Sequence, residues 1–369
     1  MHGNEFRAAL ARAPSLCADA LNAAAQRAGG IEALAALSGA QLGTLCLAAD
    51  TIRALLAPDA KTLEADLAVI DCYALRLIAS CDSEYPALLR RISAAPPLLF
   101  VRGNPAVLEL PQLAMVGSRN PSANGAATAR DFAAYFARSG LAITSGLALG
   151  VDAAAHHGAL DGGGATIAVC GTGLDTVYPR QNAALVERIL AGGGALVSEF
   201  PPGTRADKWH FPRRNRLISG LSLGTLVVEA ARDSGSLITA RYAADQSREV
   251  FAIPGSIHSP LSRGCHQLIR DGAKLVEAAA DVLSELNISL SDQRVNSADS
   301  GSPPGLSPSR PIDKEYEILL DAVGFEPTSI DAVVERTGFQ AESVASMLLI
   351  LELEGRVAPQ PGGRFSRPV

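Results

Sequence analysis

Seven short apolar runs recur along the middle of the chain, separated by stretches with helical periodicity. Uniformly apolar runs of this kind are typical of parallel strands, which helices cover on both faces. The alternation therefore predicts an α/β fold with a Rossmann-like, doubly wound and mostly parallel sheet. The predicted strands are Leu113–Val116, Leu141–Thr144, Thr166–Val169, Ala195–Val197, Thr225–Val228, Val250–Ile253 and Lys274–Val276.

The regions around these runs predict a chain of several domains. Ala and Leu at helical spacing, interrupted by glycines, predict a small N-terminal helical domain of the SAM or helix-hairpin-helix type at 1–81. A proline-punctuated connection at 82–111 leads to the Rossmann-like domain at 112–288. Of the fifteen residues Ser297–Pro311, eleven are Ser, Pro or Gly, which predicts a flexible linker at 289–311.

The C-terminal region, 312–369, has the pattern of three helices followed by a hairpin, which predicts a winged-helix-like module. The helices are expected at Asp313–Ala322, Ser329–Thr337 and Ala341–Glu354. The module holds five Lys and Arg against ten Asp and Glu, and the third helix has no Lys or Arg. Docking in a DNA groove requires neutralisation of phosphates. We therefore expect this module to contact a protein rather than duplex DNA.

Composition limits the class of protein. No apolar run is long enough to span a membrane, and the first residues lack the apolar core of a signal peptide, so a cytoplasmic protein is expected. The net charge of −6 excludes a globally basic nucleic-acid coat protein but leaves room for a local basic patch. Cys265, His266 and His258 lack a fourth ligand at finger spacing, so no metal and no cofactor are expected.

Small residues follow the first two predicted strands. Gly117-Ser118-Arg119 follows the first strand, and Ser145-Gly146 follows the second. Ligands of doubly wound sheets bind beyond the carboxyl ends of the strands, where glycine allows tight turns and free backbone N–H groups attract phosphate. An arginine at such a turn adds a fork suited to phosphate oxygens. We expect these five residues to form part of an anion site.

A basic and aromatic segment, Arg205–Arg216, is the sharpest local signal. It carries five Lys and Arg against one Asp, and it includes the single Trp of the chain and a Phe. Cations neutralise backbone phosphates while aromatic faces stack on unpaired bases, a combination typical of single-strand binding. The candidate DNA contacts here are Lys208, Phe211, Arg213, Arg214, Asn215 and Arg216.

Three motifs resemble those of enzyme sites, but the sequence around each of them does not support an enzymatic role. Gly171–Thr176 begins like a dinucleotide fingerprint but lacks the third glycine, so NAD binding is not expected. Gly220–Gly224 matches G-x-S-x-G, but a helix precedes it and a strand follows, so Ser222 is not a nucleophile. For His156 and His157 we expect a buried histidine beside an exposed one rather than a proton-transfer pair.

Several strings of the sequence resemble the DprA/Smf family of DNA-processing proteins. They are Ile143–Asp152, Thr166–Val169, Gly173–Asp175, Tyr178-Pro179, Phe211–Arg216, Val228–Ala230, Ser234–Ala240 and Val250–Gly255. The resemblance covers about residues 82–286. It implies a Rossmann-like protein of natural transformation that binds and protects incoming single-stranded DNA in the cytoplasm. It further implies a dimer that helps load the RecA recombinase and has no established enzymatic activity.

The resemblance also implies where DNA binds. The family's pocket is built from the Gly-Ser-Arg turn and the basic-aromatic segment, which nominates Gly117, Ser118, Arg119, Lys208, Phe211, Arg214, Asn215 and Arg216. Family self-association maps to the Rossmann-like domain. The last predicted strand and the segment before it lie near the sheet edge, so we expect His266, Ile269 and Leu275 at a dimer interface.

One alternative from another class stays open. Related Rossmann-like phosphoribohydrolases cleave the glycosidic bond of nucleotides with an Arg and a Glu near a glycine-rich loop. Glu229, at the end of a predicted strand, could supply that Glu. The competing interpretation is a carboxylate that caps a helix or orders a loop through backbone N–H groups.

Overall fold

The computed structural model describes residues 3–288 and 314–367. The chain separates into two compact units, with the boundary after Ile288. The predicted linker at 289–311 lies outside the described residues.

A nine-stranded sheet forms the centre of the first unit. Its spatial order is β1-β2-β6-β5-β4-β3-β7-β8-β9. The seven strands from β6 to β9 are parallel, whereas β1 and β2 add to the β6 side in antiparallel orientation. The sheet confirms the predicted mostly parallel α/β fold. The strands are β1 Arg76–Ala79, β2 Leu98–Gly103, β3 Gln112–Val116, β4 Ala142–Ser145, β5 Thr166–Val169, β6 Ala195–Ser198, β7 Gly224–Val227, β8 Glu249–Ala252 and β9 Lys274–Leu275.

The sequence analysis did not predict β1 and β2. All seven predicted runs are strands, with bounds that shift by about one residue, but these two strands lie in regions expected to be helical or connecting. The first four residues of β2, from Leu98 to Val101, are almost completely buried and fit the same apolar pattern. Pro96 and Pro97 directly before them suggested a connection instead. The sheet therefore extends further toward the N-terminus than the sequence pattern indicated.

Six short helices precede the sheet, as the Ala- and Leu-rich composition predicted. Their apolar residues share one core with the sheet: Leu21 and Leu34 belong to the same buried cluster as Phe100 of β2 and Leu196 of β6. The helical region and the sheet therefore lie in the same compact unit. The helices are α1 Asn4–Arg12, α2 Ala18–Ala28, α3 Ile31–Ala35, α4 Gly39–Gly43, α5 Ala49–Leu56 and α6 Ala60–Cys72.

Helices cover both faces of the parallel strands. Along β3, Leu113 and Met115 contribute to one core while Ala114 and Val116 contribute to the other, which is the two-residue alternation of a strand buried on both faces. This arrangement confirms the doubly wound architecture. The helices are α7 Ala87–Arg90, α8 Ala123–Arg138, α9 Val151–Asp161, α10 Ala183–Ala191, α11 His210–Leu221, α12 Ser236–Asp245, α13 Arg263–Arg270 and α14 Ala279–Glu285.

The strand order creates a switch point between β3 and β7. From β3 the chain moves outward through β4, β5 and β6, then returns to place β7 on the other side of β3 and continues to β8 and β9. Loops that follow β3 and β7 leave in opposite directions, so a crevice opens at the carboxyl ends of these two strands. The topology therefore fixes where a ligand site is expected.

The second unit is a winged helix, as predicted. Its three helices enclose a small core that includes Leu319, Val333 and Leu348. A three-stranded antiparallel sheet of order β10-β12-β11 completes it. The elements are α15 Lys314–Val323, β10 Thr328–Ser329, α16 Ile330–Thr337, α17 Ala341–Leu353, β11 Ala358–Gln360 and β12 Arg364–Ser366.

The two adjacent histidines of α9 have different environments. His156 is completely buried, and its Nδ1 lies 2.7 Å from the Thr166 hydroxyl, which donates its own proton to the Ile143 carbonyl. His156 must therefore donate from Nδ1, and its Nε2 has no partner in the described part of the chain. Burial lowers the pKa of His156 to about 3. His157 is half-buried and lies beside Arg188.

His156 predicts a loss of stability in mild acid. A histidine in an unfolded chain has a pKa near 6.5. Below that pH the unfolded chain therefore binds a proton at His156, whereas the folded chain leaves this side chain unprotonated. By pH 5 this group alone should lower the free energy of unfolding by about 2 kcal/mol relative to pH 7. Urea unfolding at both pH values should show a smaller loss for His156→Asn than for the unmodified chain. His258→Asn, the same change at an exposed position, should show the same loss of stability as the unmodified chain. If His156→Asn also shows this full loss, burial of His156 is not the cause of the acid sensitivity.

Candidate nucleic-acid interface

A cleft of about 730 Å³ lies at the switch point of the sheet. The loops after β3, β4 and β7 form its walls, together with the segment that leads into α11 and with the first turns of α11 and α12. This is the place at which doubly wound sheets bind their ligands.

Backbone contacts tie the loops of the cleft together. The Ser118 amide donates to the Glu229 carbonyl at 2.7 Å, and the Val151 amide donates to the Ser118 carbonyl at 3.1 Å. Gly150 has a φ of +80°, and a Cβ at this position would lie 2.4 Å from the Ser118 carbonyl oxygen. Only glycine allows this approach. The loops after β3, β4 and β7 therefore form one connected surface.

The Glu229 side chain holds the N-cap residue of a helix. Its carboxylate accepts from the Ser122 amide at 2.9 Å and from the Ser122 hydroxyl at 2.6 Å, at the start of α8. A Cβ on Gly125 would lie 2.4 Å from the same carboxyl group, so the first turn of α8 is built around it. Glu229 is not among the residues that line the cleft. The geometry agrees with the capping interpretation and does not support the phosphoribohydrolase alternative.

Two exposed cations face the cleft. Arg119 follows β3, and Lys208 lies just before α11; both side chains line the cleft and are open to solvent. None of the ion pairs within 3–288 and 314–367 includes either residue. Their charges therefore remain available to an anionic ligand.

Arg214 forms the floor of the cleft. Its guanidinium is buried and donates to the Gly146 carbonyl at 2.6 Å and to the Val169 carbonyl. Asp152, also buried, accepts from the Gly146 amide at 3.0 Å. Burial lowers the pKa of Arg214 and raises the pKa of Asp152, and the charge of each opposes the shift of the other. Arg214 thus joins α11 to the ends of β4 and β5.

The other two arginines of α11, Arg213 and Arg216, do not face the cleft. Arg213 and Arg216 donate to one oxygen of Glu199, at 2.9 Å and 2.7 Å. The Glu199 side chain is only 2% exposed, so the pairing is partly shielded from water. Neither arginine lines the cleft. The basic segment is therefore divided between a ligand-facing side and a structural side.

Six of the eleven candidate DNA contacts line the cleft. Helical geometry explains the division, because Phe211, Arg214 and Asn215 lie on one face of α11 while Arg213 and Arg216 lie on another. Ser145 is completely buried, and its hydroxyl donates to the Met115 carbonyl at 2.6 Å. The lining candidates are Gly117, Arg119, Lys208, Phe211, Arg214 and Asn215; the others are Ser118, Ser145, Gly146, Arg213 and Arg216.

Sequence reasoning noted two further sets of lining residues as part of the family resemblance but did not assign them to the site. Ser234–Ser236 follows β7 and leads into α12, and it repeats the pattern of small residues between strand and helix that drew attention to Gly117–Arg119. Tyr178 lies in the long connection between β5 and α10 and reaches the cleft from there. Nothing in the local sequence indicates that this connection would fold back over the strand ends.

The cysteines and histidines near the sheet edge do not cluster. His266 Nε2 lies 3.0 Å from the Gly255 carbonyl, and burial raises the pKa of Cys265 to about 12. Throughout residues 3–288 and 314–367, no group of three His, Cys, Asp or Glu is placed to hold a metal ion. No helix of these two ranges has the length and apolarity needed to cross a membrane.

Comparison with known proteins identifies the family. The family model described as DNA recombination-mediator protein A matches residues 76–287, and the model described as DprA winged helix domain matches 302–363. The protein Smf of Escherichia coli is 45% identical over 306 residues, which cover 82% of this chain and 80% of that protein.

Solved structures agree with this match. The X-ray structure of DNA processing protein A from Streptococcus pneumoniae has a TM-score of 0.66 and 38% identity, and the match covers 77% of this chain and 99% of that chain. The structure of DNA processing protein A from Helicobacter pylori, described for its single-stranded DNA binding mode, has a TM-score of 0.53 and 27% identity, with 58% and 96% covered. With a family model that matches more than half of its length, this chain belongs to the DprA/Smf family of DNA-processing proteins.

Proposed function

We propose that this protein binds single-stranded DNA in the cleft at the carboxyl ends of the strands. The observation that carries the proposal is the pair of exposed cations, Arg119 and Lys208, which line a cleft that also contains the aromatic rings of Tyr178 and Phe211. Unpaired cations attract the phosphates of a single strand, and aromatic rings accommodate its bases. The net charge of −6 does not oppose this, because the cations act at short range within the cleft.

The relatives support a proposal for the cellular role. A related structure, from Helicobacter pylori, is described for single-stranded DNA binding, and several relatives are named DNA processing protein. We propose that the chain protects incoming DNA in the cytoplasm during natural transformation and helps load the RecA recombinase onto it. We propose a binding role rather than an enzymatic one, since the carboxylate that a phosphoribohydrolase would need is occupied at a helix start.

Salt dependence tests the two cations. Each phosphate contact contributes about −0.7 to the slope of log affinity against log salt for a single strand. Replacement of Arg119 or Lys208 by Ala should weaken binding of an oligo-dT and make the slope shallower by about 0.7. The measurement is a gel shift or anisotropy titration at several salt concentrations, with duplex DNA as comparison.

Arg138→Ala provides the matched control for this test. Arg138 is exposed at the last residue of α8, so it lies near the amino ends of the parallel strands, whereas the cleft lies at their carboxyl ends. This variant should keep both the affinity and the slope. If Arg119→Ala and Lys208→Ala also keep both, the two cations do not contact DNA and the proposed site is wrong.

We also propose a homodimer through the last strand of the sheet. In the first unit, β9 is the edge strand, and its Leu275 is 48% exposed. Ile269 of α13 lies nearby in sequence and is half-buried against the core, and His266 of the same helix is also half-buried. An exposed apolar edge of this kind favours pairing with a second copy.

Single charged substitutions test the dimer. Light scattering of the unmodified chain should give the mass of a dimer, and Ile269→Glu or Leu275→Glu should give a monomer, because a carboxylate in an apolar interface loses its hydration. Leu275→Glu is the sharper variant, since Leu275 is exposed and contributes little to the core. Leu56→Glu, at an exposed leucine of α5, should remain dimeric. A Leu275→Glu protein that stays dimeric would place the interface elsewhere.

For the winged helix we propose a protein partner. Its third helix, α17, exposes Leu349, Ile350 and Leu353, the last being 82% exposed. The helix has Glu but no Lys or Arg, so the phosphates of a DNA groove would repel it. An exposed apolar strip with acidic neighbours fits contact with a protein better than entry into a groove.

Truncation separates the two possible roles of the winged helix. A chain that ends near Ser300 should keep almost all of its affinity for oligo-dT, because the cleft lies entirely in the first unit. Truncation should instead reduce the interaction with RecA, measured by pull-down or by an assay of recombinase loading. A truncated chain that remains folded but loses most of its DNA affinity would refute the protein-contact proposal.

A further inference from the structure

Two arginines meet at a place well away from the cleft. Arg91 directly follows α7, and Arg248 lies between α12 and β8. The Leu88 carbonyl of α7 accepts from the Arg91 amide at 3.2 Å and from the Arg248 guanidinium at 3.1 Å. Both residues therefore lie at the carboxyl end of α7, and we refer to them as the Arg91–Arg248 patch.

The positive charges of the patch are not compensated. None of the ion pairs within 3–288 and 314–367 includes Arg91 or Arg248, although Asp245 and Glu249 lie close to Arg248 in sequence. Burial and, to a smaller extent, the like charge of Arg91 lower the pKa of Arg248. Two like charges at short distance repel each other, and an anion bound to both would relieve this repulsion.

The guanidinium groups have donors to offer such an anion. Arg248 donates to the Leu88 carbonyl from Nη2, and its Nε has no hydrogen-bond partner in the described part of the chain. The Arg91 side chain is exposed. A guanidinium carries five N–H donors in a planar fork that matches the oxygens of a phosphate. The patch therefore suits a phosphate group.

The helix α11 connects the patch to the cleft. Its first turn borders the cleft, whereas Gly220 in its last turn contacts α7 so closely that a Cβ there would lie 2.9 Å from the Leu89 Cδ1. The 12 residues of α11 span about 18 Å at 1.5 Å per residue. Leu89 and Leu217 of α11 belong to the same buried cluster. The patch thus lies on the same face of the sheet as α11, at the end remote from the cleft.

A single strand that leaves the cleft can cover this distance. At the 3.4 Å spacing of phosphates along one strand, about five nucleotides span about 18 Å. A strand already bound in the cleft is present at the patch at a high effective concentration, so even a weak second contact adds to its affinity.

We propose that the Arg91–Arg248 patch is a second phosphate site, which binds the backbone of a single strand beyond the cleft. The proposal rests on the proposed single-stranded DNA binding of the cleft. The ligand group is a backbone phosphate next to any base, because phosphate contacts carry no sequence information. The patch contributes only to strands that are long enough to reach it from the cleft.

Oligonucleotide length tests the proposal. The full-length chain is titrated by anisotropy, at several salt concentrations, with dye-labelled oligo-dT of about 30 nucleotides and of about four, the shorter spanning less than α11 at the same phosphate spacing. For the longer strand, Arg91→Ala and Arg248→Ala should each weaken binding and make the slope of log affinity against log salt shallower by about 0.7. Arg91→Glu should weaken it further, because a carboxylate repels phosphate. For the shorter strand, both Ala variants should match the unmodified chain.

Arg138→Ala is again the matched control. Arg138 is also an exposed arginine near the amino ends of the parallel strands, but α8 packs on the opposite face of the sheet from α7 and α11. This variant should keep the affinity and the slope for both lengths. Arg91→Ala is the cleaner of the two patch variants, since Arg248→Ala also removes the contact to the Leu88 carbonyl.

Three results would overturn the proposal, and they differ from one another. If both patch variants bind the longer strand with unmodified affinity and slope while Arg119→Ala lowers both, the patch binds no phosphate although the cleft binds DNA. If the patch variants weaken the two lengths equally, the arginines act on the cleft and form no second site. If the unmodified chain binds neither strand, the proposed function itself fails.

Discussion

The contact of Arg214 with the Gly146 and Val169 carbonyls is the interaction on which the site depends. It joins α11 to the ends of β4 and β5, and the Asp152 carboxylate accepts from the Gly146 amide. A buried charge is costly unless it is compensated, so removal of either Arg214 or Asp152 would leave the other buried charge without its counter-charge. Gly146 is required here, because a Cβ would lie 2.7 Å from both side chains. The contact therefore holds α11, the helix that carries Phe211, against the strand ends that form the cleft.

The basic residues near the cleft fall into two groups with different contacts, and this explains how an acidic protein can offer a site for a polyanion. Arg213 and Arg216 already share the buried carboxylate of Glu199, so a phosphate would have to displace a formed ion pair to reach them. Arg119 and Lys208 have no such partner in the described ranges, and their charges face the cleft. Three cations and two carboxylates line the cleft, so the sum of the lining charges is positive although the net charge of the chain is negative.

The two units offer different chemistry to partners. In the first, cations and aromatic rings meet at the carboxyl ends of parallel strands, an arrangement suited to nucleic acid. In the second, the three-helix core is closed, and α17 turns Leu349 and Leu353 toward solvent among acidic residues. Such a surface favours apolar contact with a protein and disfavours phosphates. This difference in chemistry is the basis for proposing DNA as the ligand of the first unit and a protein as the partner of the second.

The sequence by itself determined the seven parallel strands, the winged helix and the two segments at the cleft, because apolar periodicity and strand-end glycines are local signals. It missed β1, which lies within a region expected to be helical, and β2, whose preceding prolines suggested a connection. Only the tertiary structure decided which face of α11 meets the cleft, because Glu199 binds Arg213 and Arg216 from a different strand end. It also brought Tyr178 across the strand ends onto Phe211. These pairings join residues that are far apart in sequence, so no local sequence pattern could have predicted them.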